Sequence, residues 1–351
     1  MSDLFSHPDF DNHEQVIFVS DQASGLQGII GIHSTVLGPA AGGCRMYPYP
    51  STADALKDVL RLSRGMTMKN SAAKLPVGGG KCVIIGDPAS PQKEARLRAM
   101  ARHVARLKGA YWTAIDVGVS AKDADIMAEE CDFIFARAGE FEADFQPAHY
   151  TAIGGFHGIR AATTYLRGSD DMNGLRVSVQ GVGQTGADLI EQMSAKGAQI
   201  IATDVNKTAL AQMVSDFGVT PVAPDAIYSQ DVDIFVPCAM GGILNDETLP
   251  QLKCRAIAGL ANNQLERPEH GDQLMELGIA YAPDFIVNGG GITACAMAIF
   301  TTFDKENALD RIASIYDTTL EILNRSCDEG VQTQTIAEQM AMDRITRTKQ
   351  A

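Results

Sequence analysis

The sequence predicts an α/β protein of two domains, the second of them a doubly wound parallel sheet. Three observations carry this expectation. The 351 residues exceed the roughly 100 to 200 of an ordinary domain. A composition of 45% hydrophobic and 21% charged residues is that of a globular chain able to bury sizeable cores. From Leu175 onward, short apolar runs alternate with stretches of helical periodicity, which is the pattern of βαβ units.

The elements follow in order. Gln15 to Ser20 and Leu26 to His33 are rich in Val, Ile and Phe around Ser24-Gly25 and read as a hairpin. Ser51-Thr52 offers a cap, and Leu56, Val59, Leu60 and Ser63 recur at helical spacing, so a helix is expected to end near Gly65. Gly78-Gly79-Gly80 reads as a glycine hinge between Lys69 and Lys81, with a strand over Cys82 to Ile85. A helix over about Pro91 to Leu107, a strand over Tyr111 to Ile115 that delivers Asp116, and a helix from Ser120 to Glu130 complete the first half. Residues 138 to 150 show no clear period and are expected to connect the domains. Beyond them come a helix over Thr151 to Leu166, a strand over Leu175 to Gln180, a helix over Ala187 to Lys196 and a strand over Ala198 to Thr203. Further strands at Asp233 to Val236, Ala256 to Gly259 and Ala280 to Ala282 extend the sheet, and long helices over Lys305 to Asp328 and Thr333 to Arg347 close the chain. No internal repeat is visible.

Composition excludes several function classes. Against 29 Lys and Arg stand 43 Asp and Glu, a formal charge of −14 that repels nucleic acid and anionic lipid. The seven cysteines, Cys44, Cys82, Cys131, Cys238, Cys254, Cys295 and Cys327, are scattered and show no metal-ligand spacing; they fit thiols in a reducing compartment, and no metal site is expected. The segment Met1 to His7 lacks the basic start and apolar core of a signal peptide, and no apolar run approaches the ~20 residues of a membrane span, so a cytoplasmic location is expected.

Two features carry chemistry. Gly181, Gly183 and Gly186 form a Gly-x-Gly-x-x-Gly motif between a strand and a helix, and Asp204 stands 18 residues further on. In that context Gly181 makes the turn, Gly183 admits a pyrophosphate, Gly186 packs helix on strand, and the helix N-terminus near Thr185 favours the negative charge. A carboxylate at Asp204 accepts from a ribose and repels a 2′-phosphate, which predicts NAD over NADP. The second feature is the lysine pair. Lys81, beside three glycines, is a candidate for partial desolvation and hence a base, and Lys69, twelve positions earlier, is a candidate cation for a substrate carboxylate. Asp116, at a strand end, is a candidate site carboxylate.

The runs Gly42 to Met46, Leu60 to Asn70, Pro76 to Pro88, Thr113 to Gly118, Pro237 to Gly242, Ala258 to Leu265 and Tyr281 to Gly291, together with the dinucleotide motif, resemble the Glu/Leu/Phe/Val dehydrogenase family, nearest its leucine, phenylalanine, valine and tryptophan branch. The resemblance covers nearly the whole chain. It implies an N-terminal α/β catalytic and oligomerisation domain over 1–148, a Rossmann-type NAD-binding domain over 149–332, and a C-terminal helix over 333–351 that packs back onto the first. It also implies reversible oxidative deamination of an L-amino acid to a 2-oxo acid and ammonia, in a cleft between the domains. On this analogy Lys69 holds the substrate carboxylate, Lys81 is the general base, and Asp116 shuttles a proton to or from the amine. Gly42 and Asn262 also bind substrate, and Gly181, Gly183, Gln184, Thr185, Gly186, Asp204, Cys238, Ala239, Asn262 and Asn288 meet the cofactor. Ala41, Ala114, Ile292 and Cys295 map to the side-chain pocket. None of the four is charged, so glutamate is disfavoured and an apolar side chain is expected, with branched-chain and aromatic substrates both open. Ala41 stands where leucine-preferring members often carry a larger residue. The family is oligomeric, with dimer and octamer both open.

Two departures stand out: Ile115 where relatives often carry glutamate, and Gln146 to Thr151 in place of a proline-rich segment at the cofactor, which leaves His149 either a titrating group or, preferably, a satisfied structural histidine. The alternatives are an oxidoreductase of another small 2-substituted acid and a non-catalytic NAD-binding sensor.

Overall fold

The computed structural model describes residues 4–137, 146–301 and 303–350; residues 138–145 of the expected connecting segment lie outside them. The chain divides into two compact units, one of Met1–Phe145 with Cys295–Asp304 and Ala341–Ala351, the other of Gln146–Ala294 with Lys305–Met340.

In the first unit the hairpin forms as its apolar alternation requires, from β1 (Gln15–Asp21) and β2 (Leu26–Ser34). A strand with no sequence signal follows, β3 (Ala40–Tyr47). Its Ala-Ala-Gly-Gly start has little β propensity, and pairing with neighbours on both sides makes it a strand. Helix α1 (Thr52–Ala72) is capped by Ser51, whose hydroxyl accepts from the Asp54 amide. It continues past Gly65, where a side chain would meet open space, and so buries Thr67, Met68, Asn70 and Ser71 and carries Lys69 in its last turn.

Strand β4 (Gly78–Ile85) corrects the expected hinge, because all three glycines lie inside it. A Cβ on Gly79 would overlap the Thr67 backbone of α1, and one on Gly80 would lie 2.7 Å from the Tyr111 ring. The triplet is therefore a packing device that lets a helix and an aromatic ring approach a central strand on opposite faces. Helix α2 (Lys93–Ala105), strand β5 (Tyr111–Ala114) and helix α3 (Ala121–Ala128) follow, α3 with a reciprocal capping box between Ser120 and Asp123. The sheet order is β1-β2-β4-β3-β5, antiparallel from β1 to β4 and parallel from β4 to β5. One face packs Ile30, Ile32, Cys82, Ile84 and Met46 against Leu97, Met100 and Val104 of α2, each large side chain contributing about 1.5 to 3 kcal/mol by leaving water.

The second unit opens with α4 (Pro147–Arg167), which begins at Pro147 and not at Thr151, since proline is pre-set for the first helical position. Strand β6 (Arg176–Gln180), helix α5 (Gln184–Ser194), strand β7 (Gln199–Thr203), helix α6 (Lys207–Phe217) and the short β8 (Thr220–Pro221) make the βαβ core. Strands β9 (Ile234–Pro237) and β10 (Ala256–Ile257), helix α7 (Glu269–Glu276) and strand β11 (Ala280–Tyr281) complete a parallel sheet of order β11-β10-β9-β6-β7-β8. Val177, Val179, Ile200, Ala202, Ile234 and Val236 form its buried centre. Short helices α8 (Asp284–Val287) and α9 (Gly290–Ala296) come next. The expected single helix from Lys305 is two, α10 (Lys305–Ala313) and α11 (Ile315–Glu329), which break at Ser314. Helix α12 (Thr333–Gln350) ends in the first unit, where the Ala341 carbonyl accepts from Ser71 Oγ at 2.7 Å and Arg344 donates to the carbonyls of Ser71 and Leu75. No described helix is long and apolar enough to cross a membrane.

Candidate active site

Adjacent parallel strands β4, β3 and β5 bring Lys81, Arg45 and Asp116 together. Side chains alternate along β4, so Gly79, Lys81 and Val83 share the face toward α1 while Gly80, Cys82 and Ile84 take the other. Lys81 is buried, and its Nζ donates to Asp116 Oδ2 at 2.6 Å. Asp116 directly follows Ile115 at the end of β5; Gly43 on β3 makes room for it, since a Cβ there would lie 2.9 Å from the Asp116 Cβ. The same Asp116 oxygen accepts from Arg45 Nε at 3.1 Å. Burial by itself pushes the Asp116 carboxyl up, but the charges of Lys81 and Arg45 and a bond from Lys81 outweigh it and bring the carboxyl down to about 2. Asp116 is thus an anion with two cations on one oxygen. The lysine expected from the sequence to be merely desolvated has a counter-ion.

The other predicted residues of this unit lie on the same sheet and on the helix packed against it, apart from Cys295 in the 295–304 segment. Ala41 and Gly42 lie buried on β3, where a Cβ on Gly42 would overlap the Gly80 carbonyl, and Ala114 closes β5. Asn70, fully buried, donates to the carbonyls of Ala41 at 3.2 Å and Gly78 at 2.6 Å and so fixes the last turn of α1, with half-buried Lys69, against both strands. Ile115 packs on the apolar face of the sheet, which accounts for an apolar residue at that departure. Cys295 is buried in the 295–304 segment assigned to this unit; Ile292 is half-buried in α9 of the other.

In the second unit β6 runs into a tight turn at Gly181, whose φ of 98° suits glycine. A Cβ on Gly186 would overlap the Gly181 carbonyl, so this glycine seats α5 on the turn. Gly183 caps α5 with open space where its side chain would be, and no side chain caps the helix amides that begin at Gln184 and Thr185. Cys238 and Ala239 follow β9 and wall the turn: the Cys238 amide donates to Gln180 O at 2.8 Å, and Ala239 abuts Gly181. Asp204, half-buried after β7, accepts from the Val182 amide with one oxygen and from the Asn206 amide with the other, both at 2.7 Å. A carboxylate has about four acceptor sites, so two remain. Asn288 is buried and donates Nδ2 to Asn262 Oδ1 at 2.9 Å, while its own Oδ1 has no hydrogen-bond partner. An open glycine cradle, uncapped helix amides and an orphaned buried carbonyl are what a dinucleotide would fill, so the residues present fit that cofactor. His149 on α4 is exposed, with Nδ1 2.7 Å from Asp188 Oδ2 of α5.

Arg45, and Asp58 behind it, were not among the residues the sequence singled out. Arg45 lies within the Gly42 to Met46 run, but nothing local signals that it would reach a carboxylate 71 positions away.

A parallel six-stranded sheet with this turn in one unit and a buried lysine–aspartate pair in the other define a dinucleotide-dependent dehydrogenase. The dimerisation domain of the Glu/Leu/Phe/Val dehydrogenases matches residues 13–133, and the Glutamate/Leucine/Phenylalanine/Valine dehydrogenase domain matches residues 204–351. The chain is 44% identical over 347 residues to leucine dehydrogenase of Bacillus cereus, covering 99% of this chain and 94% of that one. It is 42% identical over 350 residues to phenylalanine dehydrogenase of Bacillus thermotolerans, covering 98% and 91%. A crystal structure of L-tryptophan dehydrogenase from Nostoc punctiforme superposes with a TM-score of 0.86 at 39% identity, over 96% of this chain and 97% of that one. The chain belongs to the Glu/Leu/Phe/Val dehydrogenase family, and within it to the branch that oxidatively deaminates apolar L-amino acids. The hydroxy-acid and sensor alternatives fall away.

Proposed function

We propose that the chain is an NAD-dependent L-amino acid dehydrogenase for branched-chain or aromatic substrates, in which Lys81 is the general base, Asp116 the proton carrier and Lys69 the holder of the substrate carboxylate. The buried Lys81–Asp116 contact of 2.6 Å carries this reading. NAD, when bound, accepts the hydride from the substrate Cα; Gly181, Gly183, Gln184, Thr185 and Gly186 would cradle its pyrophosphate, Asp204 its ribose, and Cys238, Ala239 and Asn288 would flank it.

The remaining chemistry is proton management. An amino acid arrives as an ammonium and must lose a proton before its Cα–H bond can break as hydride. Water must then add to the resulting iminium carbon, giving up one proton to form a carbinolamine; its hydroxyl then loses the other proton as the nitrogen takes one up, and ammonia departs as the oxygen becomes the carbonyl. An ionised Asp116 beside the amine accepts from it, and Lys81, once its own proton has left, takes the proton of the attacking water. The 2.6 Å contact lets a proton pass directly between the two groups. Asn262, whose Oδ1 is taken by Asn288, has its amide NH2 for substrate, a donor that adds no charge beside an iminium.

Ala41, Ala114, Ile292 and Cys295, which the family analogy assigns to the substrate side chain, are all uncharged, which suits an apolar side chain, and the small Ala41 suits an aromatic one. We further propose a cytoplasmic homo-oligomer, supported by scattered free cysteines and by the match to a dimerisation domain. The test is a panel of L-amino acids with NAD or NADP at alkaline pH, following nicotinamide reduction, with Lys81→Ala alongside. Turnover with Leu, Val, Ile, Phe or Trp, lowered at least about a thousandfold in the variant while NAD affinity stays within a few-fold, is expected. Turnover only with glutamate, or an undiminished Lys81→Ala, refutes the reading.

A further inference from the structure

We propose that Arg45, held by Asp58, is a positioning residue that keeps Asp116 beside Lys81 and sets the pH at which that pair gives up its proton. The inference rests on the roles proposed above for Lys81 and Asp116. Its basis is a chain of alternating charges inside the first unit. Asp116 Oδ2 accepts from Lys81 Nζ at 2.6 Å and from Arg45 Nε at 3.1 Å. Arg45 Nη1 donates to Asp58 Oδ2 at 3.0 Å, and the Tyr49 hydroxyl donates to that same oxygen. Two cations and two anions cancel, and three elements, β3, β4 and α1, supply three of the four, with Asp116 just beyond β5.

The guanidinium and the outer carboxylate are half-buried, with side chains 23% and 28% exposed. They line one wall of a cavity of about 490 Å³. Around that cavity α1 also presents Asp54, Lys57 and Arg61, and Lys69 lies in the last turn of the same helix. The other titratable groups at the pair are Cys44, Cys82 and Tyr111, all fully buried: Tyr111 donates to Gly42 O at 2.8 Å, and Cys82 lies 3.5 Å from the Thr113 hydroxyl. Burial pushes the Tyr111 phenol up, and the hydrogen bond with Cys82 raises the Cys44 thiol, while the Cys82 thiol, which burial would raise, is brought down by bonds from Cys44, Thr113 and Tyr111; the permanent charge in contact with the pair is Arg45, with Asp58 behind it.

Arginine does not lose its proton in proteins. Arg45 is therefore a fixed positive charge, and it acts in two ways. It lowers the proton affinity of Asp116, so a proton that Lys81 releases through the 2.6 Å contact passes on and is not retained by the carboxylate. It also disfavours a second positive charge nearby and thereby eases that release. Asp58 partly cancels Arg45, so it works in the opposite direction. A purely structural role for either residue would lower activity without moving the pH profile; an electrostatic role moves it in opposite senses.

The experiment is the pH dependence of kcat/KM for amino-acid deamination in the parent, Arg45→Met, Arg45→Lys and Asp58→Asn, each as the full chain with NAD. Titration of the free substrate amine is common to all four and cancels in the comparison. In Arg45→Met the acid limb should move up by about one pH unit, the scale of losing one unit charge at this range in a partly buried site. Arg45→Lys keeps the charge but loses the fork, so its limb should stay with the parent while the rate falls. Asp58→Asn should shift the limb downward. An unmoved limb, or a shift in the same direction in Arg45→Met and Asp58→Asn, overturns the inference. Should Arg45→Met not fold, Asp58→Asn decides alone: a limb that stays or rises refutes. Failure of the underlying reading shows separately, as a parent without amino-acid-dependent NAD reduction or a Lys81→Ala variant that retains turnover.

Discussion

Acid should weaken the first unit through His33. This imidazole is buried on β2, with Nδ1 2.8 Å from the Thr67 hydroxyl of α1 and the His13 ring 4.8 Å away. Burial first, and then the His13 charge, lower its pKa from 6.5 to about 4, with Asp11 opposing. Because the folded value lies below the unfolded one, the unfolded chain binds the extra proton. The associated stability is fully present above about pH 6.5 and is lost as pH falls toward about 4. A difference of about 2.5 units at 1.36 kcal/mol each is on the order of 3 kcal/mol, a large part of a domain's margin. His13, lowered chiefly by its own burial, acts in the same sense. The single tryptophan, Trp112 on β5, reports on this unit alone. Urea unfolding followed by its fluorescence should show a midpoint that drops steadily between pH 7 and pH 4.5, and His33→Asn, which can keep the Thr67 contact, should flatten that dependence. An equal slope in parent and variant would refute the argument.

Two further outcomes concern the dinucleotide turn. Asp204→Asn keeps an acceptor for the Val182 amide but removes the charge that opposes a 2′-phosphate, so the preference for NAD over NADP should narrow about tenfold; kcat/KM measured with both cofactors checks it. Gly183→Ala adds a methyl where the free protein has only open space, so Tm should stay within a degree or two while KM for NAD rises at least several-fold; a fall in Tm with unchanged KM would contradict the assigned cradle.

Much of this molecule was legible because its signals are local. The apolar strand of β6, the glycine turn and the helix after it lie within one stretch of chain, and Asp204 stands at the spacing that a βαβ unit imposes. The hairpin of β1 and β2 and the cap at Ser51 were equally near at hand. What could not be read depended on partners far along the chain. Strand β3 exists because β4 and β5 flank it, and Gly79 is extended because it pairs with β2 and β3 while α1 leaves no room for a side chain, so propensity alone missed the first and misread the second. Lys81 and Asp116 were each singled out by motif. That they share an ion pair with Arg45, and that Asp58 steadies Arg45 from α1, follows only from the order of strands in the sheet.

The bond between Asp204 and the Val182 amide has a kinetic corollary. On the proposed reading the acid assigned to the ribose is already fastened to the loop assigned to the phosphates, so the nucleotide meets a receptor whose shape is settled in advance. Little ordering entropy is then spent at encounter, and capture of the coenzyme should run at the pace of a rigid docking event, not wait on a loop to organise itself.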